Sequence, residues 1–85
     1  MRTLDEARTR IIQLQEELSS VGASDAASRL QRALTDFYTT STEALISLDA
    51  ALTETRSAWL KHLTRQRIAE IEHLQVAVRR MMNLH

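Results

Sequence analysis

The chain has 85 residues and carries 11 basic and 11 acidic side chains, so its formal net charge is zero. A chain of this length forms one domain, its charge balance argues against a protein whose affinity comes mainly from neutralising phosphates, and the absence of cysteine excludes disulfides and thiolate metal ligands. With neither the apolar run of a secretory signal nor an apolar stretch near membrane-spanning length, we expect a cytoplasmic protein that does not enter the membrane.

The first predicted helix covers residues 4–21. Thr3 and Glu6 have the spacing of a capping box, in which two side chains satisfy free backbone N–H groups of the first turn. Apolar residues then alternate by three and four positions, which is the a/d seam of a coiled coil. Gly22, the one glycine in the chain, follows where a left-handed C-cap is expected.

A second short helix is predicted after this glycine, with Ser24 or Asp25 as its N-cap. Its apolar face consists of Ala27, Leu30, Leu34, Phe37 and Tyr38. Residues 39–42 are Thr-Thr-Ser-Thr, a run that costs roughly 2 kcal/mol relative to alanine in a helix. We predict a break at this run, with Thr40 and Glu43 as a second capping box. The alternative is an unbroken helix, because the apolar stripe keeps its phase.

The third predicted element is one long helix over residues 43–83. At roughly 100° per residue, one stripe contains Leu45, Leu48, Leu52, Trp59, Leu63, Leu74 and Met81. A break within residues 53–57 ranks lower, because Glu54 and Arg56 are good helix formers. A helix of this length would extend about 60 Å, beyond what the two shorter helices can cover. Because monomers rarely expose so large an apolar patch, we expect a homodimer.

Four charged residues interrupt this stripe: Asp49, Arg56, Arg67 and Glu70. Arg67 and Glu70 are i, i+3 neighbours and can form an ion pair within a helix. They form either a buried polar layer that fixes the register and the oligomeric state, or a pair that reaches water from the edge of the stripe. For Asp49 and Arg56 the second interpretation is favoured.

One candidate metal motif is present, because Glu70 and His73 have the Glu-x-x-His spacing of carboxylate-bridged di-iron bundles. Such a site needs further inward glutamates, which the sequence does not supply. We therefore expect no bound metal and no cofactor.

A basic stretch provides the main alternative to a protein-binding function. Its residues are Arg56, Lys61, Arg65 and Arg67, followed by Arg79 and Arg80. Such a surface can bind nucleic acid or another anionic partner. However, charge runs usually form solvated faces, and the stretch lacks helix-turn-helix spacing.

These patterns predict an all-α fold of two short helices and one long helix, completed by oligomerisation. The serine and threonine residues lack a glycine-rich elbow, so we expect no enzyme. We predict an adaptor- or chaperone-like module that binds another copy or another helical protein. The predicted interface lies within residues 60–82 and around Trp59: Trp59, Leu60, Leu63, Arg67, Ile68, Glu70, Ile71, Leu74, Val78 and Met81.

Overall fold

The computed structural model describes residues 3–83, and the all-α prediction is confirmed. The described residues contain no strand and form five helices: α1 (Leu4–Ser20), α2 (Ser24–Thr35), α3 (Ser41–Glu54), α4 (Arg56–His62) and α5 (Arg65–Asn83). The principal extents of the molecule are 34, 25 and 18 Å. The prediction of two short helices and one long helix is therefore wrong in its second half, where three helices replace one.

Helix α1 begins and ends where the local sequence signals predict. The backbone N–H of Glu6 donates to Thr3 Oγ1 at 3.2 Å. At the other end Gly22 has a φ of 84°, and the N–H of Ala23 donates to the carbonyl oxygen of Leu18 at 2.9 Å. This is a Schellman motif, which satisfies carbonyl groups that the last helical turn leaves free.

Helix α2 differs from its prediction at both ends. Its N-cap is Ala23, which makes no side-chain cap, so the expected cap by Ser24 or Asp25 is wrong. Helix α2 begins directly after the Schellman motif of α1. No extended residue is therefore left at which Ser24 or Asp25 could act as the N-cap. The helix ends at Thr35. Beyond that point the helical period no longer applies, and Phe37 points to solvent with 91% of its surface exposed.

The predicted break near residues 39–42 is confirmed, although the non-helical residues are 36–40. Helix α3 begins at Ser41, and Thr40 Oγ1 accepts a hydrogen bond from the backbone N–H of Glu43 at 3.1 Å. The Glu43 carboxylate in turn accepts from the N–H of Thr39 at 3.2 Å. Two side chains therefore replace the backbone hydrogen bonds that a continuous helix would have made.

The predicted helix over residues 43–83 breaks first at Thr55, inside the segment that ranked lower as a break. The Thr55 hydroxyl donates to the carbonyl oxygen of Ala51 at 2.8 Å, and such local bonds compete with helical ones. The indole N–H of Trp59 donates to the carbonyl oxygen of Leu52 at 3.2 Å. A carbonyl at the helix end thus gains a buried side-chain donor.

A second break, which the sequence analysis does not predict, lies at Leu63 and Thr64. Leu63 has an extended backbone with φ −104° and ψ 161°. Thr64 Oγ1 accepts a hydrogen bond from the N–H of Arg67 at 3.2 Å and so caps α5. We call these two residues the hinge. Because of the hinge, α5 folds back along α3.

Helices α3 and α5 run antiparallel. Asp49 bonds to Arg79, and Thr53 bonds to Gln75. The residue numbers therefore increase along α3 while those of the bonded residues on α5 decrease. The apolar stripe is consequently buried inside one chain, together with α1 and α2. The buried hydrophobic residues of this core are Ala7, Ile11, Leu14, Leu18, Ala27, Leu30, Ala33, Leu34, Leu45, Leu48, Ala51, Leu52, Trp59, Ile71, Leu74, Val78 and Met81.

The long uncovered stripe from which a homodimer is predicted is therefore absent from this fold. A helix of about 60 Å does not fit a molecule whose longest extent is 34 Å. Burial of apolar area favours folding back over exposing the stripe to water. The oligomeric state itself stays a prediction.

Candidate functional site

The predicted interface coincides largely with the core. Five of its members are buried in the chain's own interior: Trp59, Ile71, Leu74, Val78 and Met81. Leu63 and Ile68 are partly buried against that core, whereas Leu60 is 44% exposed. A buried side chain offers no surface to a partner, so in this fold the sequence pattern identified packing within the chain.

Arg67 and Glu70, the two polar members of the predicted interface, are joined by Glu17 from α1. Arg67 Nε donates to Glu17 Oε1 at 2.7 Å, and Arg67 Nη1 donates to Glu70 Oε2 at 3.0 Å. The hydrogen bond that Arg67 donates to Glu17 raises the pKa of Arg67 above its usual value, and burial lowers it. The hydrogen bond to Glu70 makes a smaller contribution that also raises this pKa. The exposed fractions of the side chains are 22% for Arg67, 36% for Glu17 and 51% for Glu70. Neither a fully buried layer nor a free surface pair describes this cluster, which connects α5 to α1.

Because the cluster is half-exposed, its loss should have a small effect. We expect Arg67→Leu to lower the free energy of unfolding by about 1 kcal/mol. A double-mutant cycle with Glu17→Gln should give a larger coupling than one with Glu70→Gln, because Glu17 is the less exposed carboxylate. Urea midpoints measure both couplings, and Arg65→Leu on the exposed side of α5 is the control. Equal midpoints for Arg67→Leu and Arg65→Leu would contradict this prediction.

A second polar cluster forms around Asp49, and its buried member is Gln75. Gln75 Nε2 donates to Asp49 Oδ1 at 2.9 Å and to Thr53 Oγ1 at 2.8 Å. Arg79 Nε donates to the same Asp49 oxygen at 2.8 Å. Gln75 is not among the predicted site residues, although its spacing from Ile71 places it on the apolar face. The cluster holds α3 against α5 and leaves Asp49 with partners rather than free in water.

Half of the cations of the basic stretch are paired with nearby carboxylates. Arg56 Nη2 lies 3.2 Å from Glu72 Oε2, and Arg56 Cζ lies 5.0 Å from the centre of the Trp59 ring. Arg67 and Arg79 are paired as described above. Three further cations, Lys61, Arg65 and Arg80, are exposed, and no carboxylate of residues 3–83 pairs with them. Only part of the predicted basic stretch can therefore attract an anion.

The Glu-x-x-His motif is not assembled into a metal centre. Glu70 accepts a hydrogen bond from Arg67, and His73 is exposed. Within residues 3–83, no three histidine, aspartate or glutamate side chains converge in a way that could hold a metal ion. A lone carboxylate–imidazole pair lacks the ligands of a closed site.

The most unusual surface feature is Phe37, in the loop of residues 36–40 between α2 and α3, here called the Phe37 loop. The Tyr38 hydroxyl contacts the carbonyl oxygen of Ala33 at 2.9 Å and Ser47 Oγ at 2.6 Å. On the other side the N–H of Asp36 donates to the carbonyl oxygen of Arg32 at 3.0 Å. Hydrogen bonds on both sides thus fix the loop while the aromatic ring stays in water.

A shallow depression lies beside the ring, where the start of α1 meets the Phe37 loop. It is lined by Leu4, Arg8, Asp36, Phe37, Tyr38, Thr39, Thr40, Ser41 and Ala44. Arg8 Nη2 donates to the carbonyl oxygen of Leu34 at 2.7 Å, so this cation stabilises the C-terminus of α2. The sequence pattern did not indicate this surface, because it places Phe37 on the apolar face of a longer helix.

Comparisons of the chain with protein-family models, with curated proteins and with solved structures gave no match. Over residues 3–83, none of the helices combines the length and the apolar character needed to cross a membrane.

Proposed function

We propose that this chain is a non-enzymatic interaction module, adaptor-like in character, that binds a protein partner through Phe37. The observation that carries the proposal is the 91% exposure of this aromatic ring on a small folded chain. Burying a phenylalanine side chain contributes about 1.5–3 kcal/mol. Exposing it to water without a partner forgoes that stabilisation.

The geometry of the Phe37 loop supports a role in binding. Because Tyr38 and Thr39 are hydrogen-bonded to α3, the loop has little backbone freedom left to lose when a partner binds. A preorganised anchor reduces the entropic cost of association. An aromatic anchor surrounded by polar residues is also the usual arrangement of a binding hot spot.

The partner that fits this surface is a protein with an apolar pocket for one aromatic ring. Leu4 and Ala44 supply further apolar surface in the adjoining depression, and Asp36, Thr39 and Thr40 supply its polar margin. Another helical protein offers such a pocket between its helices. This proposal moves the interface from the predicted surface around Trp59 and residues 60–82 to the Phe37 loop, because most of the predicted interface residues belong to the core or pack against it.

The alternative function, a nucleic-acid-associated regulator, has weaker support. Its binding surface would depend on Lys61, Arg65 and Arg80, because Arg56, Arg67 and Arg79 are paired with carboxylates. A few phosphate contacts predict weak binding with a shallow dependence on salt. An adaptor role needs none of these cations.

A photo-reactive phenylalanine analogue at position 37 tests the proposal in cells that produce the chain. We expect one discrete covalent adduct, and an excess of the unlabelled parental chain should compete it away. Phe37→Ser should compete at least about thirtyfold less well, as expected for a hot spot worth roughly 2 kcal/mol.

The matched control is Ile46→Ser, since Ile46 is also an exposed apolar residue, at 52%. This variant should compete like the parental chain. The proposal fails if Phe37→Ser competes as well as the parental chain, or if Ile46→Ser loses competition to the same degree. Both variants should keep the parental helicity, because neither side chain belongs to the core.

A further inference from the structure

We infer that the hinge at Leu63 and Thr64 can straighten, so that α5 leaves its own chain and packs on α3 of a second copy. The product is a domain-swapped dimer in which α4, the hinge and α5 form one helix. This inference does not depend on the Phe37 surface, because the hinge and that loop lie on different elements.

The sequence across the hinge favours a continuous helix. From residue 23 to the C-terminus the chain contains neither glycine nor proline, the two residues that most reliably end a helix. The apolar residues keep a spacing of three or four through the hinge, from Trp59 and Leu63 to Ile71 and Leu74, with Arg67 between them. A straight helix over this segment would therefore still present one apolar face.

Of the two breaks, the hinge is the more weakly held by side-chain hydrogen bonds, because its cap is exposed whereas the bonds around Thr55 are buried. The break at Thr55 is fixed by the buried bond from Trp59 Nε1 to the carbonyl oxygen of Leu52. The hinge has the Thr64 cap, in which the side-chain oxygen accepts from the N–H of Arg67. Straightening exchanges that cap for helical hydrogen bonds of the amides around residue 64, so the local backbone loses little.

A second copy of this chain is the partner that fits the surfaces uncovered when the hinge straightens. A straight helix over residues 56–83 would be about 42 Å long, which exceeds the 34 Å longest extent of the molecule. Helix α5 would then project beyond its own chain with Ile71, Leu74 and Val78 uncovered. A second opened copy offers the identical α3 surface, including the Asp49 partner of Arg79. Exchanging identical elements is a low-cost route to dimers, and short hinges favour it.

Proline at the first position of α5 separates the two states. In the folded monomer Arg65 follows the Thr64 cap, a position that tolerates proline because its N–H has no helical partner. In the straight helix the same residue is interior. Arg65→Pro should therefore lower the dimer association constant, by about a hundredfold for each of the two chains that carry the substitution. Conversely, Thr64→Ala removes the cap and should raise it about fivefold per chain.

The control for proline is Ser41→Pro, at the first position of α3. Thr40 before it is extended, with φ −134° and ψ 157°, as the residue before a proline must be. This variant should leave the dimer fraction at the parental value, since α3 starts at a break in both states.

The measurement uses two cysteine variants of this cysteine-free chain, Asp49→Cys and Arg79→Cys, mixed and refolded at low and at high protein concentration. Each chain carries one thiol, so a short thiol cross-linker joins positions 49 and 79 only when α5 of one chain lies on α3 of the other. We expect a dimer by light scattering and this cross-link at high concentration, less of both with Arg65→Pro, and more with Thr64→Ala. A monomer under every condition, a dimer without the cross-link, or an undiminished cross-link with Arg65→Pro would overturn the inference.

Discussion

Leu74→Asp is expected to unfold the chain or to leave it barely folded. Leu74 is 5% exposed and belongs to the core that α5 forms with the other helices. An ionised carboxylate placed there without a partner costs several kcal/mol. The whole stability expected of a chain of this length is only about 4–13 kcal/mol. Urea denaturation followed by circular dichroism should show a large fall in midpoint or no cooperative transition.

Lys61→Asp is the matched control, since it places the same carboxylate on the exposed side of α4. Surface substitutions of this kind change stability by about 0.5 kcal/mol or less. If Leu74→Asp and Lys61→Asp unfold at similar urea concentrations, Leu74 does not pack in the core as described.

Trp59→Ala is the second substitution with a large expected effect. The Trp59 side chain is fully buried at the break between α3 and α4, and removing such a ring costs about 3–5 kcal/mol. Trp59→Phe keeps most of the apolar volume but removes the N–H that donates to the carbonyl oxygen of Leu52. Leaving that buried acceptor unpaired costs about 1–3 kcal/mol, so this variant should fall between Trp59→Ala and the parental chain.

Leu60→Ala provides the control, because Leu60 is the neighbouring residue and is 44% exposed. It should lower the free energy of unfolding by no more than about 1 kcal/mol. The urea midpoint should be highest for the parental chain, lower for Leu60→Ala and Trp59→Phe in either order, and lowest for Trp59→Ala. Any other order would contradict the buried position of the indole ring.

The sequence alone determined those features that depend on residues a few positions apart. The all-α class followed from apolar spacing and from the scarcity of glycine and proline. The starts of α1 and α3 followed from caps, in which Thr3 and Thr40 bond within three residues. The end of α1 followed from Gly22, which lies just beyond the helix. Such bonds join residues that are close in sequence, and a pattern read along the sequence therefore predicts them.

Tertiary structure decided where the long apolar stripe bends and what covers it. The stripe keeps its phase through Thr55 and the hinge, so the sequence pattern does not mark either break as a place where the chain must turn. The turn is favoured by burying α5 on α3, a gain that arises only between residues far apart in sequence. For this reason the predicted interface residues became core, and a chain predicted to need a partner buries its own stripe.

The same distinction applies to the polar residues and to the candidate site. Arg67 and Glu70 were recognisable as neighbours, whereas Glu17, the stronger partner of Arg67, lies 50 residues away and meets it only in the folded chain. Phe37 does not lie on the apolar face of α2, because that helix ends at Thr35. The turn into α3 then leaves its ring exposed to water. Spacing determined which residues could share a helix face; helix ends and packing across the chain decided which of them were left exposed.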